Sequence, residues 1–335
     1  MKKTDSTDKF WKNKRVLVTG GAGFVGSWMC AQLAAEGAHV VALDIKPALP
    51  TLGEPHDQML EKSVFVKGDV RDVALLHTLF VKHKFDIVFH LAAKALVGDV
   101  LLDPALALDT NIMGTVRVLE ESRKHQGVHV VVASSDKAYG VHKELPYKEH
   151  LPLLGENHPY DCSKSCTDQI ARMYANVYKV SVAVVRCGNI YGGGDFNFSR
   201  LIPGTIRELE NDRPIEIRSN GLYRRDYIYI EDVVSAYLKL AEQLARGKCV
   251  GEVFNFGNNT PLQVLEVVGI IARLVDKTHL KPVILNNAQN EILHQYLDSS
   301  KAMRVLGWEP EHDIDEGLVK TIVWYRWHLG EHGSS

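Results

Sequence analysis

Residues Arg15-Val16-Leu17-Val18-Thr19 are a short β-branched run that passes directly into Gly20-Gly21-Ala22-Gly23-Phe24-Val25-Gly26 and then into an apolar, helix-forming stretch over 28–36. Strand, glycine turn and helix in immediate succession constrain the fold more than any other part of the chain. Gly20, Gly23 and Gly26 leave room for a tight turn and for close approach of backbone to a ligand. The helix N-terminus behind them offers unpaired N–H groups to a pyrophosphate, with Phe24 and Val25 at its start. A second strand over 39–43 leads to Asp44, about where such a unit places the acid that grips adenosine ribose hydroxyls. An acid there repels a 2′-phosphate, so NAD is the expected cofactor rather than NADP.

Alternating strand and helix signals continue to about Val185, with strands near 64–67, 86–91, 129–134 and 181–186. That alternation predicts an α/β protein with a Rossmann-like, doubly wound parallel sheet. Beyond Arg186, Gly192-Gly193-Gly194, Pro203 and Pro214 break the elements. The expected organisation is a nucleotide-binding domain over 1–186, with returns near 226–258, and a smaller, partly interleaved substrate lobe over 187–330. Segments 232–245 and 253–255 read as a helix and a strand returning to the first sheet.

The 335 residues suffice for a sizeable core, and the net charge of −2 is nearly balanced. Lys and Arg are dispersed and no apolar stretch nears the ~20 residues of a membrane helix, so neither nucleic acid nor membrane is an expected partner. Residues 1–14 are polar and charged, unlike a secretory signal, and a cytoplasmic protein is expected. Five cysteines, at 30, 162, 166, 187 and 249, contain no Cys-x-x-Cys pair, and no structural metal or disulfide is expected.

The chemistry concentrates in Ser134-Ser135-Asp136-Lys137-Ala138-Tyr139-Gly140 and Tyr160-Asp161-Cys162-Ser163-Lys164. Tyr160 and Lys164 are four apart, so on one helix they share a face, and the ammonium lowers the phenol's pKa through space. Tyr160 then becomes a base at neutral pH, with Ser135 holding the same substrate oxygen.

With these residues the chain resembles the extended short-chain dehydrogenase/reductase family over nearly its whole length. Gly20-x-x-Gly23-x-x-Gly26, Asp69, His90-Leu91-Ala92-Ala93, Asn111-x-x-Gly114-Thr115, Ser135, Tyr160 and Lys164 stand in family order. The resemblance implies that Asp69 and Val70 lie by the adenine, that Leu91, Ala92, Ala93 and Ser134 line the cofactor, and that Asn111 supports the active-site helix near Lys164. It also implies that Asn189, Arg225 and Arg200 hold a nucleotide-sugar diphosphate, Arg225 through its fork of donors; Lys94 is a further substrate contact.

Within the family, Ser135-Asp136-Lys137 resembles the CDP-glucose 4,6-dehydratase subgroup of the nucleotide-sugar 4,6-dehydratases. So do Phe10-Trp11-Lys12-Asn13-Lys14-Arg15-Val16, Gly188-Asn189-Ile190-Tyr191-Gly192-Gly193-Gly194-Asp195 and Leu306-Gly307-Trp308. The implied reaction oxidises the sugar at C4, eliminates water across C5 and C6, and returns hydride to C6. Asp136 is the acid for the departing water; Lys137 is either a neutral C5 base or a charged stabiliser of the enolate. Ala92-Ala93-Lys94-Ala95-Leu96-Val97-Gly98 and Arg225-Asp226-Tyr227-Ile228-Tyr229 depart from that subgroup, the second being a form shared with epimerases. A nucleotide-sugar 4-epimerase and a non-catalytic NAD-binding sensor or scaffold are the alternatives. Helices near 104–125 and 160–178 carry Leu106, Ile112, Val116, Leu119, Ile170, Met173 and Val177, and the family's use of those helices implies a homodimer.

Overall fold

A computed structural model describes residues 10–288 and 292–332. Residues 1–9, most of the polar start, lie outside the described residues. The chain divides into two units interleaved along the sequence. One runs to Ala138 and resumes over Gly155–Val185 and Tyr237–Val253; the other takes Tyr139–Leu154, Arg186–Ala236 and the chain from Phe254 onward.

The central sheet has seven strands. In chain order its first six are β1 (Arg15–Thr19), β2 (His39–Asp44), β3 (Val64–Lys67), β4 (Ile87–His90), β5 (His129–Ala133) and β6 (Ser181–Cys187). Their spatial order is β6-β5-β4-β1-β2-β3, and the strand Val253–Phe256 adds outside β6. The pairings among β1 to β6 are parallel. Burial explains the composition: Val16 to Val18, Val130 to Val132 and Val182 to Val185 are at most 1% exposed. Strands covered on both faces read as continuous apolar runs rather than alternating ones.

The order reverses between β1 and β4, and Thr19 pairs with His90 at that point. In an open α/β sheet the carboxyl ends of strands flanking such a reversal border a crevice where ligands bind. Here those ends carry Thr19-Gly20, His90-Leu91 and Ala133-Ser134.

The first helix, Phe24–Ala35, starts four residues before the apolar stretch that announced it, directly behind the glycine turn. The expected continuous helix near 104–125 is three pieces: Pro104–Leu108, a π-helical turn Asp109–Met113, and Gly114–Lys124. Single π turns tend to mark functional positions because they free backbone groups from the regular ladder. The surface expected from these helices is also corrected at one residue. Leu119 is fully buried and packs with Phe80, Phe85 and Val130 in the core of the nucleotide-binding unit. Met173 and Val177 are exposed at 39% and 61%. No helix among the described residues is long and apolar enough to cross a membrane.

Phe80 is fully buried and meets Phe85 edge to face at 5.4 Å. Phe80→Ala leaves a cavity the sheet cannot collapse into, and is expected to cost about 3–5 kcal/mol in urea denaturation.

Candidate active site

The glycine turn closes against the neighbouring strand end. Gly20 has φ +73°, and a Cβ there would lie 2.8 Å from the Ala92 amide nitrogen; at Gly26 it would lie 2.0 Å from the Gly20 carbonyl oxygen. No side chain fits at either position, so backbone lies open where a ligand approaches. Phe24, Val25 and Gly26 form the first helical turn, whose N–H groups have no intrahelical acceptor. Asp44, 9% exposed at the end of β2, accepts the Ala22 N–H at 3.0 Å and the Lys46 N–H at 3.0 Å. The Lys46 ammonium donates back to the Ala22 carbonyl at 2.9 Å. The acid and the glycine turn are therefore held as one piece.

Beyond β3, Asp69 is gripped by Arg71 at 2.7 Å, and Arg71 also reaches Asp109 at 3.0 Å. The Arg71 guanidinium holds the Asp69 carboxyl below its usual range. Val70 is buried against Gly114, where a Cβ would come within 2.9 Å of its methyl.

Under the turn lies a hydrogen-bonded chain the sequence reading did not assign. His90 Nε2 lies 2.9 Å from the Thr115 hydroxyl, which donates to the Asn111 carbonyl at 2.6 Å. With that proton spent, Thr115 accepts, so Nε2 carries the hydrogen. Nδ1 then accepts from the Thr19 hydroxyl at 2.8 Å, whose oxygen takes the Ala92 N–H at 3.3 Å. His90 is thus a neutral imidazole of fixed tautomer, and burial, followed by the charge of Lys164, pushes its pKa down to about 3.

Asn111 stands in the π turn. Its Oδ1 accepts the Lys94 N–H at 2.7 Å, and its amide donates to the Lys94 carbonyl at 3.1 Å and to the Ser163 hydroxyl at 2.8 Å. Ser163 in turn donates to the Tyr160 carbonyl at 2.7 Å. Ala93 and Lys94 continue from β4 as a half-buried loop held by this amide.

Tyr160 and Lys164 ride the helix Pro159–Tyr178, with the Lys164 nitrogen 5.9 Å from the centre of the Tyr160 ring. Lys164 is 5% exposed, donates to the Ala133 carbonyl at 2.7 Å, and is lowered by burial to about 8. It therefore stays mostly charged at pH 7. Ser134 donates to the Lys164 carbonyl at 3.3 Å, tying β5's end to the same helix. A 3₁₀ turn, Asp136–Tyr139, follows. Asp136 is 3% exposed and accepts the Ser135 hydroxyl at 3.0 Å, while Ser135 accepts the Lys137 N–H at 3.2 Å. Lys137 is half-buried.

Two neighbours escaped the sequence reading. Asp161 titrates near 6: burial raises it, the charge of Lys137 opposes this and that of Asp136 reinforces it. His158 precedes Pro159 and caps the helix by accepting the Tyr160 N–H on Nδ1 at 3.1 Å. Neither announces itself in one dimension; a charged first-turn residue and a histidine before Pro-Tyr are the available signals.

The residues expected on the substrate lobe stand in the second unit. Asn189 opens the strand Asn189–Tyr191, which pairs parallel with Tyr227–Tyr229, and its amide donates to the Asp226 carbonyl at 3.3 Å. Arg225, next along from that carbonyl, donates to the carbonyls of Arg224 at 2.9 Å and Leu293 at 3.1 Å. Arg200 is set apart from this pair, in an ion pair with Asp195 at 2.9 Å.

His90 generates a pH prediction. Its pKa is about 3 in the folded chain against 6.5 for an ordinary imidazole, so the unfolded chain binds the extra proton between those limits. Stability is full above about pH 6.5 and falls on acidification, by up to about 1.4 kcal/mol per pH unit from this group. Urea midpoints for His90→Gln are expected to show a shallower acid limb than wild type.

The chain matches the model of the NAD dependent epimerase/dehydratase family over residues 16–257. It is 34% identical to CDP-glucose 4,6-dehydratase of Salmonella typhimurium over 96% of this chain and 93% of that one. It is 30% identical to dTDP-D-glucose 4,6-dehydratase of Homo sapiens, over 93% and 90%. Among solved structures it resembles the epimerase Mth375 of Methanothermobacter thermautotrophicus, with TM-score 0.88, 30% identity and coverage of 98% and 96%. It also resembles DesIV, a dTDP-glucose 4,6-dehydratase of Streptomyces venezuelae solved with NAD bound, with TM-score 0.82, 29% identity and coverage of 95% and 98%. The family match over most of the chain and the relatives at 30% identity or more lead to one conclusion: the chain belongs to the NAD dependent epimerase/dehydratase family.

Proposed function

We propose that this protein is an NAD-dependent nucleotide-sugar 4,6-dehydratase, a lyase that converts a nucleotide-diphosphate hexose of the CDP-glucose kind into its 4-keto-6-deoxy form plus water. The observation that carries the reading is the buried Asp136 carboxyl, joined to Ser135 and followed by Lys137 on the turn after β5. A 4-epimerase needs only the oxidising half of this site, whereas eliminating water needs an additional acid.

The residues fit a dinucleotide. Gly20 and Gly26 leave a cradle that any Cβ would fill, and the helix behind them directs N–H groups toward a pyrophosphate. Asp44 presents a carboxylate at the end of β2, the partner of ribose hydroxyls. Asp69, Val70, Leu91, Ala92, Ala93, Asn111 and Ser134 would complete the lining. When bound, NAD takes hydride from the sugar's C4 and later returns it to C6.

The side chains supply the rest. Tyr160 takes the proton of the C4 hydroxyl, supported by the Lys164 charge near its ring. Ser135 holds the same oxygen; it has one proton to give, so engaging the sugar releases it from Asp136. Asp136 then donates to the C6 oxygen as water leaves. Lys137 either removes the C5 proton in its neutral form or, as ammonium, steadies the enolate while a carboxylate removes it. Asp161 gives the second route a candidate, since a carboxylate titrating near 6 is a capable base at neutral pH. Asn189, Arg200, Arg225 and Lys94 are read as the substrate contacts.

The exposed Met173 and Val177, with Met113 on the π turn, support a homodimer through these helices. Cytoplasmic residence accords with where nucleotide sugars and NAD are drawn on.

Incubated with NAD and CDP-, dTDP-, UDP- or GDP-glucose, the protein is expected to give a product lighter by one water in mass spectrometry. An isomer of unchanged mass would establish the epimerase instead. Asp136→Asn is expected to keep NAD binding and C4 oxidation while dehydration falls by about a hundredfold or more; undiminished dehydration removes Asp136 from the chemistry. The kcat/KM profile is expected to decline as pH rises through about 8, where Lys164 loses its charge, and a profile still rising well above that overturns the role of the ammonium.

A further inference from the structure

His158 has two ring nitrogens with different fates. Nδ1 accepts the Tyr160 N–H at 3.1 Å, so it holds a lone pair and the imidazole is neutral. The hydrogen must then sit on Nε2, and Nε2 is buried without a hydrogen-bond partner among the described residues. Buried N–H groups nearly always have an acceptor, and one left over beside reactive groups calls for an explanation. Capping does not supply one, because an aspartate caps a helix equally well and, ionised, carries no donor at all. The ring stands where that donor is useful: Tyr160 is two residues on, and burial, followed by the charge of Lys137, holds the imidazole's pKa below the ordinary histidine value. His158 as a whole is only half-buried, so the ring lies close to the protein surface rather than deep in the core.

We propose that the Nε2–H of His158 donates a hydrogen bond to the C6 oxygen of the bound hexose, the oxygen that leaves as water. This rests on the dehydratase reading above and assigns the leaving group a second, neutral donor alongside Asp136. The proton stays on the imidazole; the bond orients the C6 hydroxyl and stabilises charge growing on it as the C6–O bond breaks.

The test uses His158→Ser, which keeps a capping oxygen next to Cβ and removes the donor at the far side of the ring, where the short serine hydroxyl does not reach. With whichever nucleotide-glucose the wild type turns over, dehydration by His158→Ser is expected to fall about tenfold, with melting temperature and NAD affinity unchanged. With the 6-deoxy analogue, which can be oxidised at C4 but has no C6 oxygen, C4 oxidation followed by NADH absorbance is expected to be equal in the two proteins. Equal losses with both substrates would make His158 a structural cap only and overturn the inference. So would an undiminished dehydration rate beside an active wild type, which leaves the dehydratase reading standing. A wild type that turns over no nucleotide-glucose overturns both. Should the variant melt early, nitrogen NMR of wild-type His158 decides: the Nε2–H signal is expected to move on binding the nucleotide-glucose and not on binding its 6-deoxy analogue, and no difference between the two refutes the contact.

Discussion

Asn111 commits its side-chain oxygen, both amide hydrogens and its backbone carbonyl, and those bonds organise the nucleotide-binding unit. Its side-chain oxygen and both amide hydrogens are committed to the loop after β4 and to Ser163, beside Lys164. Its carbonyl takes the hydroxyls of Thr115 at 2.6 Å and Thr167 at 3.2 Å. A regular helical carbonyl has one acceptor site engaged along the axis; the π turn over Asp109–Met113 frees this one for side chains. One residue thereby fixes the spacing between the loop from β4, the helix that carries Tyr160, and His90 through Thr115.

From that anchor the electrostatics follow. Lys164 is buried yet charged because it rests on the Ala133 carbonyl, a preorganised acceptor that substitutes for water. His90, nearby, is kept neutral by burial and by the charge of Lys164, and two threonines fix its tautomer. A second charge there would face Lys164 without screening. Asp136, Lys137 and Asp161 act on one another, two acids and one base, with burial raising Asp161 to about 6. Environments that drive neighbouring titratable groups apart are how one site comes to hold both an acid and a base.

The sequence made the frame of this arrangement legible. β1 and the glycine turn were readable because parallel strands are apolar throughout and because only glycine suits Gly20 and Gly26. Tyr160 and Lys164 were readable because helical spacing alone brings them to one face. His158 and Asp161 were not, since what distinguishes them is an unpaired nitrogen and a desolvated carboxyl, properties of packing rather than of order along the chain. The break over 109–113 left only a faint trace, Asp109, Thr110, Asn111 and Gly114 being weak helix formers, while the side-chain bonds of Asn111 and Thr115 that accompany the extra residue leave none. Leu119 read equally well as surface or core, and the β-sheet beneath it decided for core.

The interleaving of the two units has a consequence for biosynthesis. The nucleotide-binding unit draws its last segment from Tyr237–Val253, and the far edge of β6 is covered by Glu252 accepting from Val184 at 3.0 Å. Until that segment leaves the ribosome, β6 is an open edge of a buried, apolar sheet, the kind of surface that recruits foreign strands. Nearly half of the second unit's sequence, residues 139–154 and 186–236, must be made first. A truncation after β6 would therefore yield an aggregation-prone fragment rather than a smaller nucleotide-binding protein, and chaperone demand should be highest while residues 186–250 are being translated.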